Sequence, residues 1–156
     1  MPKAKQTIYL ETSVISAYFD FWKKSPLQKR ETRKFWKIVL PDYEPVTSTL
    51  TIIELERARR EWRNEYLKLI QNIRILNFSP KVSRLAERYI KERIIPKSKA
   101  DDAGHLAIAV THEIDFFLTW NMQHFLRPNK MKQIINFNRT NSLYIPTLVN
   151  PNDFLE

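Results

Sequence analysis

The feature that most constrains this sequence is an apolar run that ends abruptly in an acid and two hydroxyls, Ile-Tyr-Leu-Glu-Thr-Ser at residues 8–13. A short apolar run bounded by capping residues is typical of a strand that is buried on both faces. Thr12 and Ser13 are residue types that begin a helix by accepting its first free backbone N–H groups. The run therefore predicts a strand over residues 7–10 and a helix over residues 13–21, with Glu11 at the junction.

The rest of the chain alternates in the same way. Apolar runs predict further strands over residues 44–48, 73–78, 116–121 and 144–149. Amphipathic patterns and capping residues predict helices between them, over residues 27–40, from Ser48 or Thr49 onward, 80–91, 100–110 and 131–137. Strands that alternate with helices indicate an α/β domain with a mainly parallel central sheet and helices on both faces. At 156 residues we expect one domain, residues 1–156.

Composition excludes several kinds of site. The single glycine, Gly104, rules out Walker-type and Rossmann-type nucleotide-binding loops, which need at least two glycines. The absence of cysteine excludes a disulfide framework and fits a reducing cytoplasm. No apolar run is long enough to span a membrane, and Met1 to Gln6 lack the apolar segment of a secretory signal.

The charge balance favours a polyanionic partner. Lys and Arg number 26 against 17 acids, a formal net charge of +9, so nucleic acid is the first candidate. A charged helix face can equally be no more than a solvated one. Part of the positive charge around Arg57 and Arg60 is also offset by neighbouring acids. The candidate nucleic-acid-binding residues lie in two basic clusters and are Lys29, Arg33, Lys37, Arg57 and Arg60.

Several acids and one amide are placed to share one edge of the predicted sheet. Right-handed crossovers bring the ends of the first and fourth strands together, so Glu11, Asp102 and Asn121 can converge there, with Glu54 joining them. Each acid also has a purely structural interpretation. Glu11 and Asp102 can be ordinary first-turn acids, and Glu54 can form an ion pair with Arg57 three residues on.

Four neighbouring residues have mainly structural interpretations. We expect Asp101 to cap its helix and His105 to be a packing or hydrogen-bonding histidine. Gly104 inside a helix favours close packing against a neighbouring strand, and Trp120 favours the core over a base-stacking role.

Four motifs taken together resemble those of the PIN-domain nucleases, in the small prokaryotic branch that includes the VapC-type toxins. They are Tyr9-Leu10-Glu11-Thr12-Ser13, Glu54 within Ile-Ile-Glu-Leu, Asp102-Ala-Gly-His-Leu-Ala-Ile-Ala, and Leu118-Thr-Trp-Asn-Met-Gln-His, in the right order over nearly the whole chain. Singly each motif is weak, and jointly they are specific. The resemblance implies a three-layer α/β/α fold.

The resemblance also implies an activity, a cofactor and partners. It implies an endoribonuclease that depends on Mg²⁺ or Mn²⁺, with Glu11, Glu54 and Asp102 as metal ligands and Asn121 as a fourth catalytic residue. Thr12 and Ser13 would orient the carboxylates. The family more often has Asp at the first and fourth positions, so Glu11 and Asn121 depart from its pattern. RNA would be the substrate, an antitoxin protein would cover the site, and a homodimer is allowed. The alternative is a nucleic-acid-binding or regulatory module that does not cleave.

Overall fold

Five short strands form one sheet in the computed structural model, which describes residues 4–155. The strands are β1 (Thr7–Leu10), β2 (Glu44–Ser48), β3 (Arg74–Leu76), β4 (Phe116–Leu118) and β5 (Thr147–Val149). They lie in the order β3-β2-β1-β4-β5, and each neighbouring pair is parallel. The α/β prediction with a mainly parallel sheet is confirmed.

Within residues 4–155, seven α-helices connect and cover the strands. They are α1 (Thr12–Phe19), α2 (Pro26–Ile38), α3 (Thr49–Glu56), α4 (Arg60–Leu69), α5 (Pro80–Lys91), α6 (Ala100–Thr111) and α7 (Pro128–Thr140), with a π-helical turn at Met122–Leu126. Proline at the first position of α2, α5 and α7 suits a helix start, because the N–H that proline lacks has no partner there.

The alternation of side chains along β1 divides the core into two layers. Ile8 and Leu10 pack with α1, α2, α3 and α4 on one face of the sheet. Tyr9 lies on the other face with α5, α6 and α7. Successive side chains of a strand point to opposite faces, so a strand that is buried throughout must have helices on both sides. The three-layer α/β/α arrangement is confirmed.

Some predicted boundaries are wrong by a few residues. Helix α1 begins at Thr12 and ends at Phe19, because Glu11 caps its start and Asp20 adopts a left-handed conformation with φ of 45° at its end. Strand β4 ends at Leu118 and not at residue 121, since Thr119 accepts a hydrogen bond from the N–H of Asn121 and so closes a turn. The last helix, Pro128–Thr140, is longer than the predicted 131–137, and the last strand, Thr147–Val149, is shorter than the predicted 144–149.

Two predictions concern a secretory signal at the N-terminal segment and a membrane-spanning helix. The absence of a secretory signal was predicted from Met1 to Gln6, of which residues 1–3 lie outside the described part. Within residues 4–155, no helix is both long and apolar enough to cross a membrane.

Gly104 allows α6 to pack closely against its neighbours. A Cβ atom at this position would lie 2.7 Å from Cδ2 of Leu50 and 3.2 Å from Cε2 of Phe78. The prediction of close packing is correct, but the neighbours are a residue of α3 and a residue that follows β3, rather than a strand.

We expect Gly104→Val to lower the free energy of unfolding by about 1–3 kcal/mol, because the added methyl groups overpack this contact. Gly104→Ala is the control: its gain of about 1 kcal/mol in helix propensity offsets the displacement of Leu50. Urea denaturation measures both, and equal stability of the valine variant and the parent would contradict the close contact.

Candidate functional site

The predicted site residues lie at the carboxyl edge of the sheet. Glu11 directly follows β1, and Asn121 lies three residues after β4, which is the neighbour of β1. Glu54 is in α3, the helix that begins at the end of β2, and Asp102 is in the first turn of α6. Ligands of open α/β sheets bind at this edge.

Glu11 acts as a helix cap. Its carboxylate accepts hydrogen bonds from the N–H of Ser13 at 3.2 Å and from the hydroxyls of Ser13 and Thr119, both at 2.6 Å. The residue is only 5% exposed. The prediction that Thr12 or Ser13 caps α1 is wrong, since the longer Glu11 side chain reaches the free N–H itself. Thr119 was given no role from the sequence, although it lies within the predicted strand 116–121 and within the fourth motif.

Glu54 is held by a hydroxyl and an imidazole. Its Oε1 accepts a hydrogen bond from the hydroxyl of Thr12 at 2.8 Å and another from Nε2 of His105. Burial alone would raise the pKa of Glu54, but the hydrogen bond and charge of His105 lower it, helped by Thr12 and by the charge of Arg57. The alternative in which Glu54 pairs with Arg57 alone is wrong, because Arg57 bonds to Asp101.

His105 is fully buried and joins three elements. Its Nδ1 lies 2.6 Å from the Tyr9 hydroxyl, which is also 2.7 Å from the hydroxyl of Ser48. Burial would lower the pKa of His105, yet the Tyr9 oxygen and the carboxylates of Glu54 and Glu11 raise it well above the ordinary value. Both ring nitrogens therefore have a hydrogen-bond partner inside the protein, Tyr9 at Nδ1 and Glu54 at Nε2. The prediction of a hydrogen-bonding histidine is correct.

Asp102 is held by a second histidine. Its Oδ2 lies 2.7 Å from Nδ1 of His124 and accepts a hydrogen bond from the Asn121 amide at 3.2 Å. The Asn121 carbonyl accepts from the N–H of His124 at 3.0 Å and caps the π-helical turn. His124 was given no role from the sequence, although its position three residues after Asn121 was part of the fourth motif.

Asp101 lies at the rim and does not cap its helix. The capping position of α6 is Lys99, which makes no side-chain capping bond. Asp101 instead accepts a hydrogen bond from Arg57 at 3.2 Å, so the prediction of a cap is wrong. The Asp101 side chain is 43% exposed. An open groove of about 320 Å³ runs past these residues and is lined by Glu54, Ser98, Lys99, Ala100, Asp101 and Asp102.

The donor set of this groove suits a hard cation held by two carboxylates. Oε2 of Glu54 and Oδ1 of Asp102 accept no hydrogen bond from the described residues, which leaves one free oxygen on each acid. Mg²⁺ is commonly held by one or two carboxylates together with waters and substrate phosphates. Among residues 4–155, no three His, Asp or Glu side chains converge closely enough to hold a metal ion. A ligand set that includes Glu11 therefore stays a prediction.

Four of the five predicted basic residues lie on helices α2 and α4 of one layer, and Arg57 directly follows α3 of the same layer. Lys29, Arg33 and Lys37 follow one another at four-residue intervals on α2. Arg33 donates to the carbonyl of Tyr18 and lies over its ring at 4.4 Å. Arg57 is at the groove rim, and the exposed Arg60 begins α4.

Trp120 connects helix α2 to the carboxyl edge of the sheet. It is half-buried in the core on this face of the sheet, and its indole N–H donates to Thr32 of α2 at 2.8 Å. The core interpretation of Trp120 agrees with this position.

The fold is similar to that of solved toxin–antitoxin proteins. A chain of VapBC-1 from nontypeable Haemophilus influenzae matches with a TM-score of 0.61 and 13% identity, over 94% of this chain and 99% of that one. A chain of VapBC2 from Rickettsia felis, bound to a promoter DNA fragment, matches with a TM-score of 0.59 and 11% identity, over 93% and 98%. VapC20 of Mycobacterium tuberculosis, a sarcin–ricin loop cleaving toxin, matches with a TM-score of 0.60 and 13% identity, over 75% and 92%.

These similarities confirm the resemblance to the VapC-like PIN domains at the level of the fold. Neither the models of known protein families nor the sequences of characterised proteins match this chain.

We expect Tyr9→Phe to lower the free energy of unfolding by about 1–3 kcal/mol, because it leaves Nδ1 of His105 without a buried partner. The measurement is urea denaturation of the purified variant. Tyr43→Phe is the matched control, since the half-buried Tyr43 hydroxyl makes no hydrogen bond within residues 4–155. We expect Tyr43→Phe to change the free energy of unfolding by no more than about 0.5 kcal/mol. Equal losses in the two variants would mean that Tyr9 contributes packing alone.

Proposed function

We propose that this protein is a toxin-type endoribonuclease that hydrolyses RNA with the help of Mg²⁺ or Mn²⁺. The observation that carries the proposal is the groove at the carboxyl edge, where Glu54 and Asp102 each keep one carboxylate oxygen free. The fold shared with VapC and VapBC structures supports it. A net charge of +9 supports a polyanionic substrate.

The residues around the groove have distinct roles in this proposal. Glu54 and Asp102 would hold the cation, and Glu11 would support the site by fixing the start of α1 and the turn after β4. A bound divalent cation supplies activation of water and neutralisation of charge on the phosphate. His105 and Thr12 orient Glu54, while His124 and Asn121 orient Asp102, so that neither carboxylate must be ordered when RNA binds.

Partners follow from the same proposal. VapBC proteins are toxin–antitoxin complexes, which supports an antitoxin partner that covers the groove of this chain. A homodimer also belongs to the proposal, and its test is the mass of the protein in solution.

A second function has one observation in its favour. Both oxygens of Glu11 are engaged by hydrogen bonds, and of the three acids that line the groove within residues 4–155, Asp101 is paired with Arg57. This favours a module that binds RNA without cutting it. Incubation of the protein with structured RNAs, with Mn²⁺ or with a chelator, separates the two functions, because binding without cleavage in Mn²⁺ supports only the second.

We expect Asp102→Asn to reduce metal-dependent RNA cleavage by roughly 100-fold or more, since it removes a charged ligand of the proposed cation, and changes even to the partners of metal ligands cost about 10- to 100-fold. The fold should persist, because a neutral amide of the same shape relieves repulsion with neighbouring acids. Mn²⁺ should raise the melting temperature of the parent but not that of Asp102→Asn, because a ligand stabilises only a protein that binds it.

Asp101→Asn is the matched control for this experiment. It changes the adjacent acid, which pairs with Arg57 at the rim, and it should leave cleavage near the parental rate. An inactive Asp101→Asn beside an active Asp102→Asn would reverse the assignment of the two acids.

The basic clusters predict a salt-dependent affinity. For single-stranded RNA, log K should fall with log[salt] with a slope of about 0.7 per neutralised phosphate. Arg60→Ala should reduce that slope by about 0.7 if Arg60 contacts one phosphate. Lys91→Ala, an exposed lysine in the opposite helix layer, is the control and should leave the slope unchanged. Equal slopes for the parent and both variants would remove Arg60 from the interface.

A further inference from the structure

An exposed tryptophan stands at the end of a ladder of aromatic rings. Trp22 is 66% exposed, the largest exposed fraction among the big apolar side chains of the described residues. It meets Trp62 edge to face at 4.8 Å, and Trp62 stacks on Phe21 at 5.2 Å. Phe21 in turn stacks on Phe19 at 5.0 Å and contacts the buried Tyr66. The ladder connects the surface ring to the core.

The turn that carries Trp22 is held in place. Asp20 and Lys23 have φ angles of 45° and 55°, a conformation that residues other than glycine rarely adopt. The Asp20 carboxylate stabilises the turn by accepting hydrogen bonds from the N–H groups of Lys24 at 3.1 Å and Ser25 at 3.0 Å. The hydrogen bonds of this turn therefore hold the backbone that places Trp22 at the surface, and exposed tryptophan is enriched at interaction sites.

Cations accompany both the exposed indole of Trp22 and the partly buried indole of Trp62. The Arg59 guanidinium lies 4.9 Å from the centre of the Trp62 ring, and Nζ of Lys24 lies 5.9 Å from that of Trp22. Residues 20–24 and 59–63 contain five basic residues (Lys23, Lys24, Arg59, Arg60 and Arg63) and two acids (Asp20 and Glu61). A flat aromatic ring beside positive charge suits an unpaired base with its phosphate.

Arg59, beside the Trp62 ring, lies close to the candidate groove along the chain. Glu54 and Arg59 are five residues apart, so their Cα atoms are no more than roughly 18 Å apart. Arg57, between them, lies at the groove rim on Asp101. A short stretch of single-stranded RNA can therefore reach from the groove to the aromatic rings.

We propose that Trp22, Trp62, Arg59 and Lys24 form a stacking platform for an unpaired base of the RNA that enters the groove. This inference rests on the proposed function and adds a substrate class to it, RNA with single-stranded bases next to the cleaved bond. A second copy of the chain fits this surface poorly, because a two-fold contact would bring the same five cations face to face.

The test is a binding titration in a chelator, which keeps cleavage out of the measurement. The probe is a short, fluorescein-labelled oligoadenylate RNA, compared with an abasic oligomer of equal length and charge. We expect Trp22→Ala to raise Kd for oligoadenylate by roughly 5- to 150-fold, the range for loss of one stacked base. Binding of the abasic oligomer should not change, and Trp22→Phe should restore part of the affinity.

The controls separate this inference from the function on which it rests. Ile38→Ala removes another exposed apolar side chain, 58% exposed at the end of α2, and should not alter binding. RNA binding that Trp22→Ala leaves intact would overturn the platform alone. A change of oligomeric state in Trp22→Ala without loss of RNA affinity would also overturn it, in favour of a protein partner. Failure of the parent to bind oligoadenylate in the chelator would overturn the platform, whereas the proposed function is tested separately by RNA cleavage in Mn²⁺.

Discussion

The buried contact between His105 and Glu54 is the interaction on which the candidate site depends. An imidazole that is fully buried needs a partner for each ring nitrogen, because an unsatisfied polar group inside a protein is destabilising. Tyr9 of β1 and Glu54 of α3 are those partners, and His105 itself belongs to α6. One side chain thereby fixes the positions of a strand and two helices. The geometry of the Glu54 carboxylate follows from the packing of the sheet rather than from a flexible loop.

The acids divide into those that build the edge and those that remain free to act there. Glu11 uses both oxygens on Ser13 and Thr119, and so joins the start of α1 to the turn after β4. Glu54 and Asp102 each use one oxygen on a histidine and keep the other toward the groove. An imidazole thus orients each of these two carboxylates before a ligand enters the groove.

Much of the fold was predictable from the sequence, because the apolar runs and the capping residues agree with the final elements. The first strand and the positions of Glu54 and Asp102 on helices are examples. The partners of the acids could not be predicted in the same way. The contact of His124 with Asp102 spans 22 residues, and that of Thr119 with Glu11 spans 108. Local patterns report which face of an element is buried, whereas such contacts depend on how the elements pack.

An acidic groove poses an electrostatic problem for a substrate that is itself a polyanion. Glu54, Asp101 and Asp102 lie together, so a phosphate that approaches them is repelled until positive charge compensates. Arg57 compensates Asp101 at the rim, and Arg59 lies two residues further along the chain. Long-range attraction of RNA must come from these basic residues around the groove. Stacking of a base on Trp22 does not depend on the sign of the charge in the groove. Under the proposed function, a base held on the platform would keep the RNA in place while its phosphate meets the acids, so an exposed indole and an acidic groove could serve the same substrate.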